Sequence, residues 1–317
     1  MPSLRAAADV VFQQCLALKP TESALIVDDH PDGAIARALW ESAGDLGAEA
    51  TLLLMCPRAR NGEEPPAVVA DAMRAANVVI APTSRSLTHT AARRRACDAG
   101  ARIATMPGVT EDMAARCIAL DYEALSRRST QVAEALTAGR EARITTALGT
   151  DLRVPLGDRQ GMPDTGLLLH PGDYGNLPAG EGFIAPLEGK AEGVLVVDAS
   201  LAGLGVLDEP VTLTISQGAI TDVNGGMPAT LFAATLESVG PAGRVLCELG
   251  VGTNDRATVT GLVLEDEKVL GTIHIAFGNN LFFGGTNDVA FHVDGVVTAP
   301  TLTVDGETLI EAGTPRF

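Results

Sequence analysis

Residues Gly271–Asp294 read GTIHIAFGNNLFFGGTNDVAFHVD. The first part alternates, so that Thr272, His274 and Ala276 share one face of a strand and Ile273, Ile275 and Phe277 share the other. Such a strand rests its apolar face on a core, and here the opposite face carries an imidazole between small neighbours. The stretch closes on His292-Val293-Asp294, whose two-residue spacing again puts both polar side chains on one side. An imidazole and a carboxylate side by side are ordinary ligands for Zn, Mn, Fe or Co. Taken singly, each is equally the residue of a solvent-facing strand.

Working outward, most segments after Ala142 alternate in the same way, among them Val194–Asp198, Val211–Ser216, Arg244–Leu249 and Thr258–Leu264. One helix interrupts them, Pro228–Gly240, with Pro at its start and Gly at its end. Asp305-Gly306 between alternating runs predicts a hairpin. The first half reads differently. Short apolar runs at Ala24–Asp28, Thr51–Met55, Asn77–Ala81 and Arg102–Met106 are separated by helical patterns, which predicts a parallel sheet covered on both faces. The expected fold is therefore an α/β domain over residues 1–140, followed by a mainly antiparallel, β-rich α+β domain over 141–317.

With 317 residues, 46% of them hydrophobic and 20% charged, the chain has the balance of a globular protein large enough for two cores. Its net charge of -17 argues against a nucleic-acid surface, which needs clustered Lys and Arg. The five cysteines are scattered and form no CxxC pair, which points to a reducing, cytoplasmic compartment and away from a thiolate metal site. No run of about 18 apolar residues occurs to span a membrane. Asp9, Gln13 and Gln14 interrupt the apolar positions of the N-terminus, which reads as an amphipathic helix of the fold.

The α/β half invites a nucleotide reading, but its first strand-to-helix turn is DDHPDG, without a GxGxxG or GxxxxGK[ST] motif. Asp28, Asp29 and His30 stand where such folds bind ligands, and equally where turns are made. Thr88-His89-Thr90 reads as a helix N-cap before it reads as an anion site. No GxSxG elbow is present.

Two acids add to the metal reading. Glu248, in VLCELGVG, is placed by alternation on a face with Leu246 and Gly250, before a Gly-rich turn. Glu181 lies in NLPAGEGFIAP, where Gly180 and Gly182 leave space around it. NLPAGEGFIAP, CELGVG, HIAFG and HVD, in that order, together with ITTALGTDLRVPLGDR, resemble the M29 metallo-aminopeptidases over about residues 140–310. That resemblance implies two divalent ions, Zn, Co or Mn, held by Glu181, Glu248, His274, His292 and Asp294. It implies hydrolysis of a small peptide or amide by a metal-activated water, and a homodimer. Glu267 and Glu265, just before the first histidine, are the candidates for the family's general base. The family's catalytic tyrosine falls on Leu281.

More distantly, the chain is similar to the 2,5-dihydroxypyridine dioxygenases, which imply one Fe(II) on two histidines and an aspartate, here His274, His292 and Asp294. In that family a histidine replaces the glutamate before the GVG-like turn. Glu248 stands there in this chain.

Overall fold

Four apolar runs separated by helices build the parallel sheet expected of the first half, and a fifth strand arrives from far along the chain. In the computed structural model, which describes residues 3–317, the sheet order is Glu49–Leu54, Ser23–Asp28, Val78–Ala81, Arg102–Thr105, Tyr174–Asn176, all parallel. The two runs of four, VVIA and RIAT, are buried at every position, as strands covered on both faces must be. Glu49–Leu54 is instead an edge, with Leu52 and Leu54 exposed, so this run is less covered than its apolar sequence implied. Among the described residues no helix is long and apolar enough to cross a membrane.

The structure divides otherwise than at residue 140. One unit comprises the residues up to Ala124 together with Gly166–Ala179, and the other Leu125–Thr165 together with Gly180–Phe317. The reason is the Tyr174–Asn176 strand, which leaves the β-rich part of the sequence to pair with Arg102–Thr105, a non-local pairing that periodicity cannot signal. Most of the helix Tyr122–Ala138 falls in the second unit, whose core takes up Val132 and Leu136.

Thr88-His89-Thr90 is the cap that its composition suggested. The Thr90 Oγ1 accepts from the Arg93 N–H at 3.1 Å and opens the helix Ala91–Asp98. Thr90→Ala is expected to lower stability by about 1 kcal/mol, read from urea unfolding, since one terminal N–H loses its acceptor.

The second unit is a β-sandwich of two antiparallel sheets, one of eight strands and one of seven. Their inner faces share one apolar core, with Leu152, Leu195 and Leu213 from one sheet and Leu249, Ile275 and Phe277 from the other. The helix Met227–Val239 closes it with Phe232 and Leu236, the Phe232 ring lying 6.5 Å from that of Phe277. In the seven-stranded sheet, Glu181–Ile184, Leu246–Gly252, Ile273–Gly278 and His292–Val297 are consecutive neighbours. Whatever their outer faces carry is thereby brought together.

Candidate metal centre

The outer face of these four strands is set by register. Ile273, Ile275 and Phe277 enter the core, so His274 and Ala276 point the other way. Pairing places Gly250 opposite His274, Glu248 and Asp294 on either side of Ala276, His292 opposite Gly278, and Glu181 opposite Gly252. Several of the cross-strand neighbours, Gly250, Gly252, Ala276 and Gly278, are small, which leaves room over the face. The alternation read for Glu248 needs one correction. A β-bulge between Leu246 and Glu248 sends Leu246 into the core while Glu248 stays outside with Gly250.

All five residues expected to bind metal meet on this face, and Glu267 joins them. Their ligand atoms fall into two groups, each within 4.8 Å: Glu181, Glu267 and His274, and Glu248, His292 and Asp294. Glu248 links the groups, with Oε1 3.3 Å from His274 Nε2 and Oε2 3.5 Å from His292 Nε2. His274 Nε2 is also 3.2 Å from Glu181 Oε2, and His292 Nε2 is 3.5 Å from Asp294 Oδ1. The triad expected for a single Fe(II), His274 with His292 and Asp294, is thus divided, and Glu248 completes the group around His292.

Glu265 does not belong here. Its carboxylate turns to the preceding loop and accepts from Thr258 N at 2.7 Å and Thr258 Oγ1 at 3.2 Å, while Asp266 does the same for Thr260 and Gly261. These two buried acids hold the loop that enters the short helix Val263–Asp266. Leu281, where the resemblance to the peptidases implied a tyrosine, starts a short 3-10 turn, is 45% exposed and offers no hydroxyl.

Lys268 was not anticipated. It is 2% exposed, and its Nζ lies 2.6 Å from Glu181 Oε1, 2.8 Å from Glu267 Oε1 and 3.3 Å from Asp164 Oδ2. A lysine beside two acids in a loop carries no sequence signal of burial. The sign that exists is Gly252, where a Cβ would lie 2.1 Å from the Val269 carbonyl oxygen, so that only glycine lets this segment run against the strand.

Burial and charge compete at every member. Burial acts to lower the basicity of His274, but the hydrogen bond with Glu248 and the charges of Glu181, Glu248 and Asp294 prevail and raise it to about 9. His292 is raised well above the usual histidine range, Asp294 overcoming burial. Asp294 stays below the ordinary carboxylate range, because His292 offsets its desolvation. Burial pushes Glu181 up to about 8 against the pull of Lys268, and raises Glu267 as well. Lys268 is raised well above its ordinary value because the charges of Glu181, Glu267 and Asp164 outweigh burial.

The donors fit a divalent metal. Four carboxylates and two imidazoles converge in the two groups, and Glu181 Oε2 and His274 Nδ1 are buried without a hydrogen-bond partner. His292 is the better prepared ligand. Its Nδ1 lies 2.9 Å from the carbonyl of Asn279, the kind of support that fixes tautomer and ring plane, and Nε2 is left for the ion. Gly250 is the spacer that admits His274, since a Cβ there would lie 2.1 Å from its Cε1 and Nε2. Gly250→Ala is expected to displace the imidazole and weaken metal binding about 10–100-fold, the scale on which ligand-positioning contacts act. Isothermal titration with Co(II) measures this.

In the first unit, Asp28, Asp29 and His30 also cluster. Asp28 accepts from the backbone N–H groups of Asp29 and His30, and Asp29 accepts from Ser84 N and Oγ. The bonds of Asp28 are those of a turn, and the bonds of Asp29 tie that turn to the distant segment around Ser84.

An α/β unit and a β-sandwich that carries clustered buried acids and imidazoles suit the metalloenzyme class. The chain belongs to the NicX family, 2,5-dihydroxypyridine 5,6-dioxygenase, whose model matches residues 4–316. The 2,5-dihydroxypyridine 5,6-dioxygenase of Pseudomonas putida is 26% identical over 255 residues, 76% of this chain and 71% of that one. The solved structure of 2,5-dihydroxypyridine dioxygenase from Pseudomonas putida KT2440 superposes with a TM-score of 0.83 at 22% identity, covering 98% of this chain and 96% of that one. AmpT from Thermus thermophilus, an M29 aminopeptidase, gives 0.73 at 19% identity, with 99% of each chain covered. The fold is therefore common to both groups, and the sequence likeness lies with the dioxygenase.

Proposed function

We propose that the chain is a metal-dependent dioxygenase that opens a hydroxylated pyridine or a close heteroaromatic relative. The observation that carries this reading is the group Glu248, His292 and Asp294, with His292 oriented by Asn279, in a chain matched to that family over nearly its whole length. These three residues, one imidazole and two carboxylates where the dioxygenase resemblance implied two imidazoles and one, would hold a single Fe(II), and such an ion, when bound, supplies the redox-active centre that dioxygen chemistry needs. Both atoms of O2 would enter the product as the ring bond opens, so no external reductant is required.

The surroundings suit a flat substrate. Phe183 and Phe283 meet edge to face at 5.6 Å, and Phe283 meets the His292 ring at 6.2 Å, which gives an aromatic wall against which a pyridine ring can pack. Glu267 and Glu181, both raised by burial, can hold a proton taken from a ring hydroxyl.

The second reading, amide hydrolysis at a two-metal centre, draws on the second donor group around Glu181 and on the AmpT fold. Leu281 weighs against it, because loss of a donor to a developing oxyanion costs on the order of 100-fold or more. The two separate in one experiment. Protein loaded anaerobically with Fe(II) is expected to consume O2 in step with 2,5-dihydroxypyridine, and the Zn, Co and Mn forms to release nothing from aminoacyl amides. Amide hydrolysis without O2 uptake would overturn the dioxygenase reading.

A further inference from the structure

We propose that Lys268 is a built-in cation, its ammonium taking the second of two adjacent cation positions so that a donor set sufficient for two metal ions takes only one. This rests on the reading of the site as a metal centre, and not on the reaction assigned to it.

Six donors are more than one ion needs. They form two groups, and Glu248 faces both imidazoles with one oxygen each, the arrangement of a carboxylate bridging two ions. In the half that contains Glu181, Glu267 and His274, the ammonium already lies at hydrogen-bond distance from both carboxylates, and Asp164 stands at 3.3 Å as a third partner. A divalent ion there would need the same carboxylates and would face an unscreened like charge. The two halves also differ in their support. His292 has its Nδ1 bonded to a carbonyl, whereas the Nδ1 of His274 is buried without a partner, so that only the His292 half is finished as a metal shell.

The lysine is fixed in place. Its carbonyl accepts from Asn254 N at 2.9 Å and its N–H donates to the Glu265 carbonyl at 2.9 Å. Gly252 leaves the space through which the segment passes. Lys268 is therefore a positioning residue, which holds Glu181 and Glu267 and excludes an ion from between them.

The test counts metal. Stripped wild-type protein titrated with Co(II) and measured by elemental analysis after dialysis is expected to bind one ion per chain, and Lys268→Ala two. Lys268→Arg, which keeps the charge, should remain at one. If Lys268→Ala folds only with metal present, it is refolded in Co(II) and counted in that state, where two ions again support the proposal. Two ions in the wild type, one in folded Lys268→Ala, or no binding in the wild type would each overturn it. One ion in the wild type, two in Lys268→Ala and no turnover of dihydroxypyridine would sink the dioxygenase reading and leave this inference standing.

Discussion

Asp294→Ala is expected to remove metal binding and turnover together, by more than the roughly 10–100-fold that follows when a supporting contact is lost. Asp294 is 6% exposed, and its carboxylate faces His292 Nε2 at 3.5 Å. Burial alone would favour its neutral form, but the positive charge of His292 keeps it ionised, so the metal-free site already stores a carboxylate ready for a cation. Truncation leaves His292 and Glu248 as the only members of that group. The strand itself should persist, because Asp294 pairs across to Ala276 through the backbone and its side chain is outside the apolar core. Elemental analysis and kcat/KM provide the measurement, with Asp294→Asn as the variant that keeps shape and removes charge. A variant that keeps both its metal and its rate would show that the ion sits elsewhere.

The metal-free protein is expected to lose stability as pH rises from about 5 to about 9. The sign follows from which state holds more protons. Glu181 moves from an ordinary 4.5 to about 8 on folding, and His274 from 6.5 to about 9, so across these windows the folded chain binds protons that the unfolded chain has released. The contribution of His274 is fully present below 6.5 and lost as pH rises through about 9. The raised Glu181 acts in the same direction over its own lower window, and His292, also raised, adds to it. Because these groups titrate as a linked set, their contributions act together and in the same direction. Bound metal replaces those protons, so its stabilising effect should grow with pH. The measurement is the difference in Tm between loaded and stripped protein at pH 6, 7.5 and 9, in which the general repulsion of a chain carrying net charge -17 largely cancels. A difference that is constant or shrinks with pH would contradict the assignment of protons to this site.

The resemblance drawn from sequence put the aminopeptidases first and the dioxygenases second, and the comparisons reverse that order. The motifs were sound as marks of a shared fold, because NLPAGEGFIAP, CELGVG, HIAFG and HVD supply the four adjacent strands of one sheet. They were poor marks of reaction, since the fold they mark is shared with both a dioxygenase structure and an aminopeptidase structure. Glu265 and Glu267 illustrate the limit. Two residues apart at the end of the short helix Val263–Asp266, they are indistinguishable in sequence, yet one carboxylate holds Thr258 and the other meets Lys268 at the site.

The sequence by itself determined the two kinds of architecture, through apolar runs in one half and alternation in the other. Alternation also singled out His274, His292 and Asp294 as outward-facing, while the full set of five ligand candidates came from the resemblance to a known family. Only the tertiary structure decided that Tyr174–Asn176 joins the first sheet, that a bulge separates Leu246 from Glu248, and that Lys268 lies buried among three carboxylates. Periodicity is a local property of the backbone. Pairing between distant strands, and the desolvation that gives a buried ammonium its weight, arise only once the chain has closed on itself.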